Sequence, residues 1–335
     1  MSDAKSLWRA ARNPPADRTD LSFKNKTVVV TGASSGLGYA AALKYAAQGA
    51  SKLVLGVRTA AKGEKTKAAI VEATGCSPDI FVILPIDLES FESARAFAAR
   101  LDEIAPEIHV LQLAGGSMRT TFIASADGFE SSLQANALTP ALLALLLLPK
   151  VRATAAAAAA KRDAGLCYIS FVNSIAHVEV KPEDVPDPSS GQTLIGRCNA
   201  KAQFDFQKQY FLVKLVAFFA MRGVAQRSGG GSQHVVVNAT CPGLCKTNML
   251  HELPFIARIV MAVTYFVMGR SAEQGARTMI SATGLGVDSH GKFWTNDQFP
   301  PTSKLLESER GEELYHETWN EVLTILRPYL REGSE

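Results

Sequence analysis

The sequence predicts an α/β fold, a doubly wound parallel sheet of Rossmann-like type, and three observations predict it. Short β-branched runs alternate with helical segments at the spacing of βαβ units, an order that implies parallel strands. The runs are nearly continuous in apolar residues, as strands covered on both faces are. The first run ends in a glycine-rich turn, "TGASSGLG" (31–38), that opens directly into a helix.

The elements follow in order. "KTVVVTG" (26–32) is the first strand, and the alanine-rich "LGYAAALKYAAQGA" (37–50) is a helix with Gly49 as its stop. "KLVLGVR" (52–58) and "AAKGEKTKAAIVEATG" (60–75) are the second strand and helix, and "DIFVILPIDL" (79–88) and "SFESARAFAARLDEI" (90–104) are the third pair. "HVLQLAGG" (109–116) is a fourth strand, "GFESSLQANALTPALLALLLLPKV" (128–151) a long helix and "LCYISFVN" (166–173) a fifth strand. The low-complexity "ATAAAAAAKRDAG" (153–165) reads as a helical extension or a soft linker. The proline-rich "EVKPEDVPDPSSGQT" (179–193) reads as a loop, since proline cannot serve a central strand. A helix around "QKQYFLVKLVAFF" (207–219) precedes a sixth strand, "HVVVNAT" (234–240). An edge strand, "GKFWTN" (291–296), and an amphipathic helix (311–330) close the chain. One domain spanning 1–335 accounts for all of it, with an N-terminal extension (1–24), an insertion loop (177–205) and an apolar segment (248–272) that could cover a substrate.

Composition narrows the function classes. The chain has 335 residues, 47% of them hydrophobic and 20% charged, and a net charge of +3 that argues for neither nucleic acid nor an anionic membrane. Five cysteines without regular spacing point to reduced thiols inside the cell, and "CPGLC" (241–245) has the wrong spacing for a metal or redox motif, so no metal is expected. The charged N-terminus has no apolar signal core, and the apolar runs at 141–149 and 259–269 are shorter than the ~18 residues a span needs, so a cytoplasmic, non-spanning protein is expected.

In the glycine-rich turn, Gly32 permits the tight bend, Gly36 lets backbone approach a phosphate, and Gly38 lets the helix pack closely on the sheet. The helix start then offers free N–H groups and a positive dipole end to a pyrophosphate. At the end of the second strand an acidic residue would favour NAD. This chain has Arg58 there and Lys62 just beyond, which suits a 2′-phosphate, so NADP is expected over NAD. The bland alternative makes both of them surface residues.

Tyr210 and Lys214 stand four apart in an apolar helix and so share a face. Either Lys214 snorkels to water beside a core tyrosine, or its charge favours the phenolate and tunes a proton donor and acceptor for an alcohol/carbonyl couple. Ser174 tips the balance towards the second reading. It follows the fifth strand, at the edge where ligands bind in open α/β sheets, and its hydroxyl can hydrogen-bond a substrate oxygen. His177 reads as a loop residue near the pocket, not as a base.

With these residues the chain resembles the short-chain dehydrogenase/reductase family over about 25–300. "TGASSGLG" is similar to that family's cofactor turn, which implies contacts from Gly32, Ser34, Ser35, Gly36, Leu37 and Gly38. Asp87 and Leu88 match its adenine contact, and Ala114 and Gly115 match the end of its fourth strand. Asn136 in "LQANALT" matches its relay asparagine. Ser174, Tyr210 and Lys214 match its catalytic serine, tyrosine and lysine. "NATCPGLCKT" (238–247) resembles its post-strand segment, which implies cofactor contacts from Pro242, Gly243, Cys245 and Thr247. "GARTMISATGLGVDSHGKFWTNDQ" (275–298) is similar to the retinol-dehydrogenase-like branch, which includes many fungal pathway reductases.

The resemblance implies hydride transfer between NADPH and a carbonyl or carbinol carbon. Tyr210 would carry the proton, Ser174 would orient the oxygen, Lys214 would act on the tyrosine and the nicotinamide ribose, and Asn136 would hold a relay water. An apolar segment at 253–269, where the family carries its lid, implies a small hydrophobic ketone, aldehyde or alcohol as substrate, with peripheral membrane contact the less favoured use. The family's pairing helices fall at 128–151 and 205–222, which implies a homodimer or homotetramer. Three departures stand out. "QLAGG" (112–116) replaces the family's Asn-Asn-Ala-Gly, Val213 stands where serine is common, and the Ser174–Tyr210 spacing is unusually long. Two rival readings stay open: a retinol or lipid-aldehyde reductase of general metabolism, and a catalytically silent NADP-binding sensor or scaffold.

Overall fold

The computed structural model describes residues 4–160, 165–229, 234–246, 264 and 268–330. Seven strands form one sheet: β1 (Thr27–Thr31), β2 (Lys52–Val57), β3 (Phe81–Pro85), β4 (Val110–Leu113), β5 (Cys167–Val172), β6 (Val235–Cys241) and β7 (Phe293–Thr295). They lie in the order β3-β2-β1-β4-β5-β6-β7, every neighbouring pair parallel. The chain winds outwards from β1 to β3, then returns to the other side of β1 at β4. That reversal makes the carboxyl ends of β1 and β4 a topological switch point, where a crevice opens. Register carries the same edge across the sheet. Thr31 pairs with Leu113, Leu113 with Phe171, and Phe171 with Ala239. The turns after β1, β4, β5 and β6 therefore gather on one rim.

Among the described residues, the α-helices of five residues or more are α1 (Ala4–Arg12), α2 (Gly36–Ala47), α3 (Ala60–Thr74), α4 (Phe91–Ile104), α5 (Ser131–Ala160), α6 (Leu194–Cys198), α7 (Phe206–Arg227), α8 (Ala272–Ala282) and α9 (Glu309–Leu326). Local signals set their starts. Ser90 accepts from the Ser93 amide at 3.2 Å, and Asp205 from the Lys208 amide at 2.9 Å, each filling a donor that a helix start leaves free. The sheet lies between two apolar layers, as a doubly wound fold requires. One contains side chains of α2, α3 and α8, and the other those of α4, α5, α7 and α9.

Three sequence expectations are corrected or sharpened. The long helix begins at Ser131, not at Gly128, because the Glu130 carboxylate caps it. It then runs to Ala160, so the alanine tract is a helical extension as far as that residue. Its length and composition would suit a membrane span, but its apolar side chains are buried in the core. Residues 177–205 are not a plain loop. They hold α6 and 3₁₀ turns at Pro182–Asp184, Pro188–Ser190 and Lys201–Gln203. Proline opens two of these turns, and Asp187 accepts from the Ser189 amide at 2.8 Å, so turn chemistry orders what periodicity could not.

One of the helices expected to pair chains, α7, is covered near its C-terminal end by α9 of the same chain. Trp319 of α9 lies on α7 so closely that a Cβ on Gly223 would fall 2.1 Å from its ring, and Arg222 pairs with Glu312 at 2.9 Å.

The altered fourth-strand segment finds a replacement role. Gln112, fully buried, accepts from the Tyr45 hydroxyl at 3.0 Å and donates to the Ser170 carbonyl at 3.0 Å, tying α2, β4 and β5 together. Gln112→Leu takes away the acceptor of the Tyr45 hydroxyl and leaves Thr283 as its remaining polar partner. It is expected to lower stability by about 1–3 kcal/mol in denaturant unfolding, and an unchanged midpoint would refute this role.

Candidate active site

A cleft of about 700 Å³ opens at the switch point. Its floor is the β1 turn. Gly32 has φ +70°, and a Cβ there would meet the Gly115 Cα at 2.5 Å, so the β1 and β4 ends touch backbone to backbone. A Cβ on Gly38 would fall 2.3 Å from the Gly32 carbonyl oxygen. The close approach that Gly38 permits is therefore to the turn itself and not to the sheet. Ser34 and Ser35 stand beside the glycines of this turn, and the start of α2 faces the cleft. This is a cradle suited to a pyrophosphate.

The cleft brings together most of the residues expected to hold a cofactor: Gly32, Ser34, Ser35, Gly36, Leu37, Gly38, Arg58, Lys62, Asp87, Leu88, Ala114, Gly115, Asn136 and Lys214. Arg58 and Lys62 are exposed at its outer end, joined by Lys65 on the same face of α3. Among the described residues none of the three makes an ion pair, so a concentration of positive charge stays open to an anion. The spacing of Lys62 and Lys65, one helical turn apart, was the available sign for the third cation.

Ser174, Tyr210, Pro242, Gly243 and Cys245 do not line the described cleft, and Thr247 lies outside the described residues, as does most of the expected 248–272 lid. Strands β5 and β6, which lead into Ser174 and Pro242, nevertheless end at the same rim. Ser174 follows β5, and its hydroxyl oxygen accepts from the Ala176 amide at 3.2 Å, which leaves its own proton free to donate. Asn173, which sequence reasoning passed over, locks this corner. It accepts from the Ser174 amide at 2.9 Å and donates to the Lys214 carbonyl at 3.2 Å.

Lys214 does not snorkel. It is 5% exposed, and its ammonium donates to Asn136 Oδ1 at 2.9 Å. Burial pushes its pKa down to about 8, with Cys241 acting in the opposite direction. Its Nζ lies 5.7 Å from the centre of the Tyr210 ring, one turn back on α7. Asn136 sits in a wide, π-type turn over Gln134–Leu138, and its amide donates to the carbonyls of Ser117 at 2.5 Å and Ser132 at 2.7 Å. Gly116 makes room for it, since a Cβ there would lie 2.6 Å from Asn136 Oδ1. The second glycine of "QLAGG" is thus part of the site.

His177 is buried and not an open loop residue. It stacks on Phe218 at 4.4 Å between ring centres, and its Nδ1 donates to the Ser174 carbonyl at 2.7 Å. Burial lowers its pKa to about 4, so it is neutral at physiological pH and serves as packing. A second residue that no motif singled out is Arg270. Fully buried, it donates to the Pro242 carbonyl at 3.3 Å, to Asn296 Oδ1 at 2.6 Å and to the Ala10 carbonyl at 2.7 Å, so it braces the segment after β6 against the end of α1.

Comparison with known proteins adds to this geometry. Residues 26–161 match the family model described as short chain dehydrogenase. The chain is 38% identical to the short-chain dehydrogenase/reductase ffsI of Aspergillus flavipes, over 97% of this chain and 92% of that protein. It is 36% identical to the short-chain dehydrogenase/reductase phmF of Phaeosphaeria nodorum, over 94% and 90%. The fold is similar to L-sorbose reductase from Gluconobacter frateurii complexed with NADPH and L-sorbose, at TM-score 0.61 and 18% identity, covering 82% of this chain and 96% of that one. The Pseudomonas aeruginosa RhlG/NADP active-site complex is also similar, at TM-score 0.61 and 21% identity, covering 82% and 95%.

Proposed function

The chain belongs to the short-chain dehydrogenase/reductase family, and from that premise we propose that it is an NADP-dependent oxidoreductase acting on a hydrophobic ketone, aldehyde or secondary alcohol. One observation carries the catalytic reading: the buried Lys214 ammonium bonded to Asn136 at 2.9 Å, on the helix that bears Tyr210, at the inner end of a phosphate-ready cleft. A desolvated charge in that place is hard to account for as packing.

When bound, the dinucleotide supplies or accepts a hydride at the substrate's carbonyl or carbinol carbon. The chain's residues do the rest. Ser174 donates its free hydroxyl proton to the substrate oxygen, orienting it and polarising the C–O bond. Tyr210 gives or takes the proton on that oxygen. Lys214 favours negative charge on the phenol oxygen as its proton leaves, and Asn136 holds Lys214 directly through Oδ1, so the relay water expected beside Asn136 would have to share that oxygen. The glycine cradle would take the pyrophosphate and Asp87 and Leu88 would border the adenine, while Pro242, Gly243, Cys245 and Thr247 are assigned to the nicotinamide end from the sequence motif alone. Arg58, Lys62 and Lys65 take the 2′-phosphate, and this carries the preference for NADPH. The apolar sequence of 253–269 favours an apolar substrate, and relatives in fungi favour a pathway reductase of secondary metabolism.

The test is a fluorescence titration with NADPH and NADH, followed by a panel of apolar ketones and aldehydes. NADPH should bind at least ~10-fold more tightly than NADH and be oxidised by some member of the panel. Arg58→Ala should weaken NADPH binding by about 10-fold and leave NADH binding nearly unchanged, the loss of one charge-assisted contact. Equal weakening of both cofactors would remove Arg58 from the 2′-phosphate site.

A further inference from the structure

Outside the cleft, Glu130 is a fully buried carboxylate with no ion pair among the described residues. A buried charge is costly unless its lone pairs are filled, and here three N–H groups fill them. Ser132 and Leu133 donate their amides at 2.9 Å each, as at a helix cap. The third donor is Gln209 Nε2 at 3.0 Å, reaching across from α7. Gln209 is itself buried, donates as well to the Cys198 carbonyl at the end of α6 at 2.8 Å, and immediately precedes Tyr210. The Glu130 amide in turn donates to Asn199 Oδ1 at 2.7 Å.

These bonds close a ring. Ser132 takes Glu130 on its amide and gives its carbonyl to Asn136, Asn136 accepts from Lys214, and α7 leads back from Lys214 to Gln209. Helices α5 and α7 are thus joined at two points, and Tyr210 lies in the stretch of α7 between them. We propose that Glu130, acting through Gln209, is a positioning residue for Tyr210. It fixes how far α7 stands along α5, and so where the phenol oxygen sits relative to Asn136 and Lys214. The same node ties 177–205 to the catalytic helix. The inference rests on the reading of Tyr210 as the proton donor.

A cap needs only the two backbone bonds, and aspartate is a good cap. Glu130→Asp therefore keeps the cap but is one methylene too short for Gln209, while Gln209→Leu removes the donor. Turnover, NADPH binding and thermal midpoint would be measured for both, for the double variant and for Tyr210→Phe. Each single variant is expected to lose about 10- to 100-fold in kcat, the scale of a small misplacement of a reacting group. NADPH affinity should stay within about threefold, and the Glu130→Asp midpoint close to the parent's. The double variant should be no worse than the poorer single, since both break one bond. Parental kcat in Glu130→Asp would overturn the proposal, and so would a kcat loss confined to variants that also melt early. If Tyr210→Phe keeps its turnover, the proton-donor reading fails and takes this inference with it. A dead Tyr210→Phe beside a fully active Glu130→Asp overturns this inference alone.

Discussion

Tyr210→Phe is expected to lower turnover by about 100- to 10,000-fold, the range a positioned proton donor contributes, with NADPH affinity within about threefold of the parent. The substitution removes one oxygen and keeps the ring, so α7 should hold its packing. The split between kcat and binding is the informative part. A reductase loses the chemical step and keeps its cofactor, whereas a cofactor-binding sensor or scaffold has no turnover to lose. Steady-state kinetics with a carbonyl from the panel, beside a fluorescence titration, decides it. Retention of more than about a tenth of the parental kcat would remove Tyr210 from the proton path.

Lys214→Met should show the opposite signs on activity and stability. The pKa of Lys214 falls from 10.5 to about 8 on folding, so in that interval the unfolded chain holds a proton that the folded chain has lost. Its burial consequently costs about 3 kcal/mol below pH 8, and that cost is relieved as pH rises towards 10.5. Methionine keeps the stem and drops the charge, but leaves Asn136 Oδ1 without its lysine donor, a loss of about 1–3 kcal/mol. Stability at pH 7 should therefore hold or rise by up to about 2 kcal/mol, while turnover falls at least ~100-fold. The parent should also gain stability between pH 8 and 10.5 relative to the variant. Urea unfolding at pH 7 and pH 10, with kcat measured alongside, tests both halves. A variant that is active, or one clearly less stable at pH 7, contradicts the argument. A lysine that lowers stability and is needed for turnover marks a site kept for chemistry.

Much of this was legible in the chain before folding. The alternation of apolar runs with helical segments determined a parallel doubly wound sheet, because periods of 2.0 and 3.6 and the hand of βαβ crossovers are local and general. "TGASSGLG" determined the floor of the cleft, because only glycine allows backbone to approach that closely at Gly32 and Gly38. The four-residue spacing of Tyr210 and Lys214 determined that they share a helical face. What the sequence left open was every contact that joins residues far apart in number. Whether Lys214 snorkels or is buried depended on Asn136, 78 positions away. Gln112 reads as a damaged motif until Tyr45 and Ser170 close around it, and Glu130 reads as a helix cap until Gln209 reaches it from α7. Spacing along a chain reports which side chains share a face. Which faces meet, and whether a buried polar atom there finds its partner, is decided by tertiary packing, because a hydrogen bond needs its two atoms within about 3 Å whatever their separation in sequence.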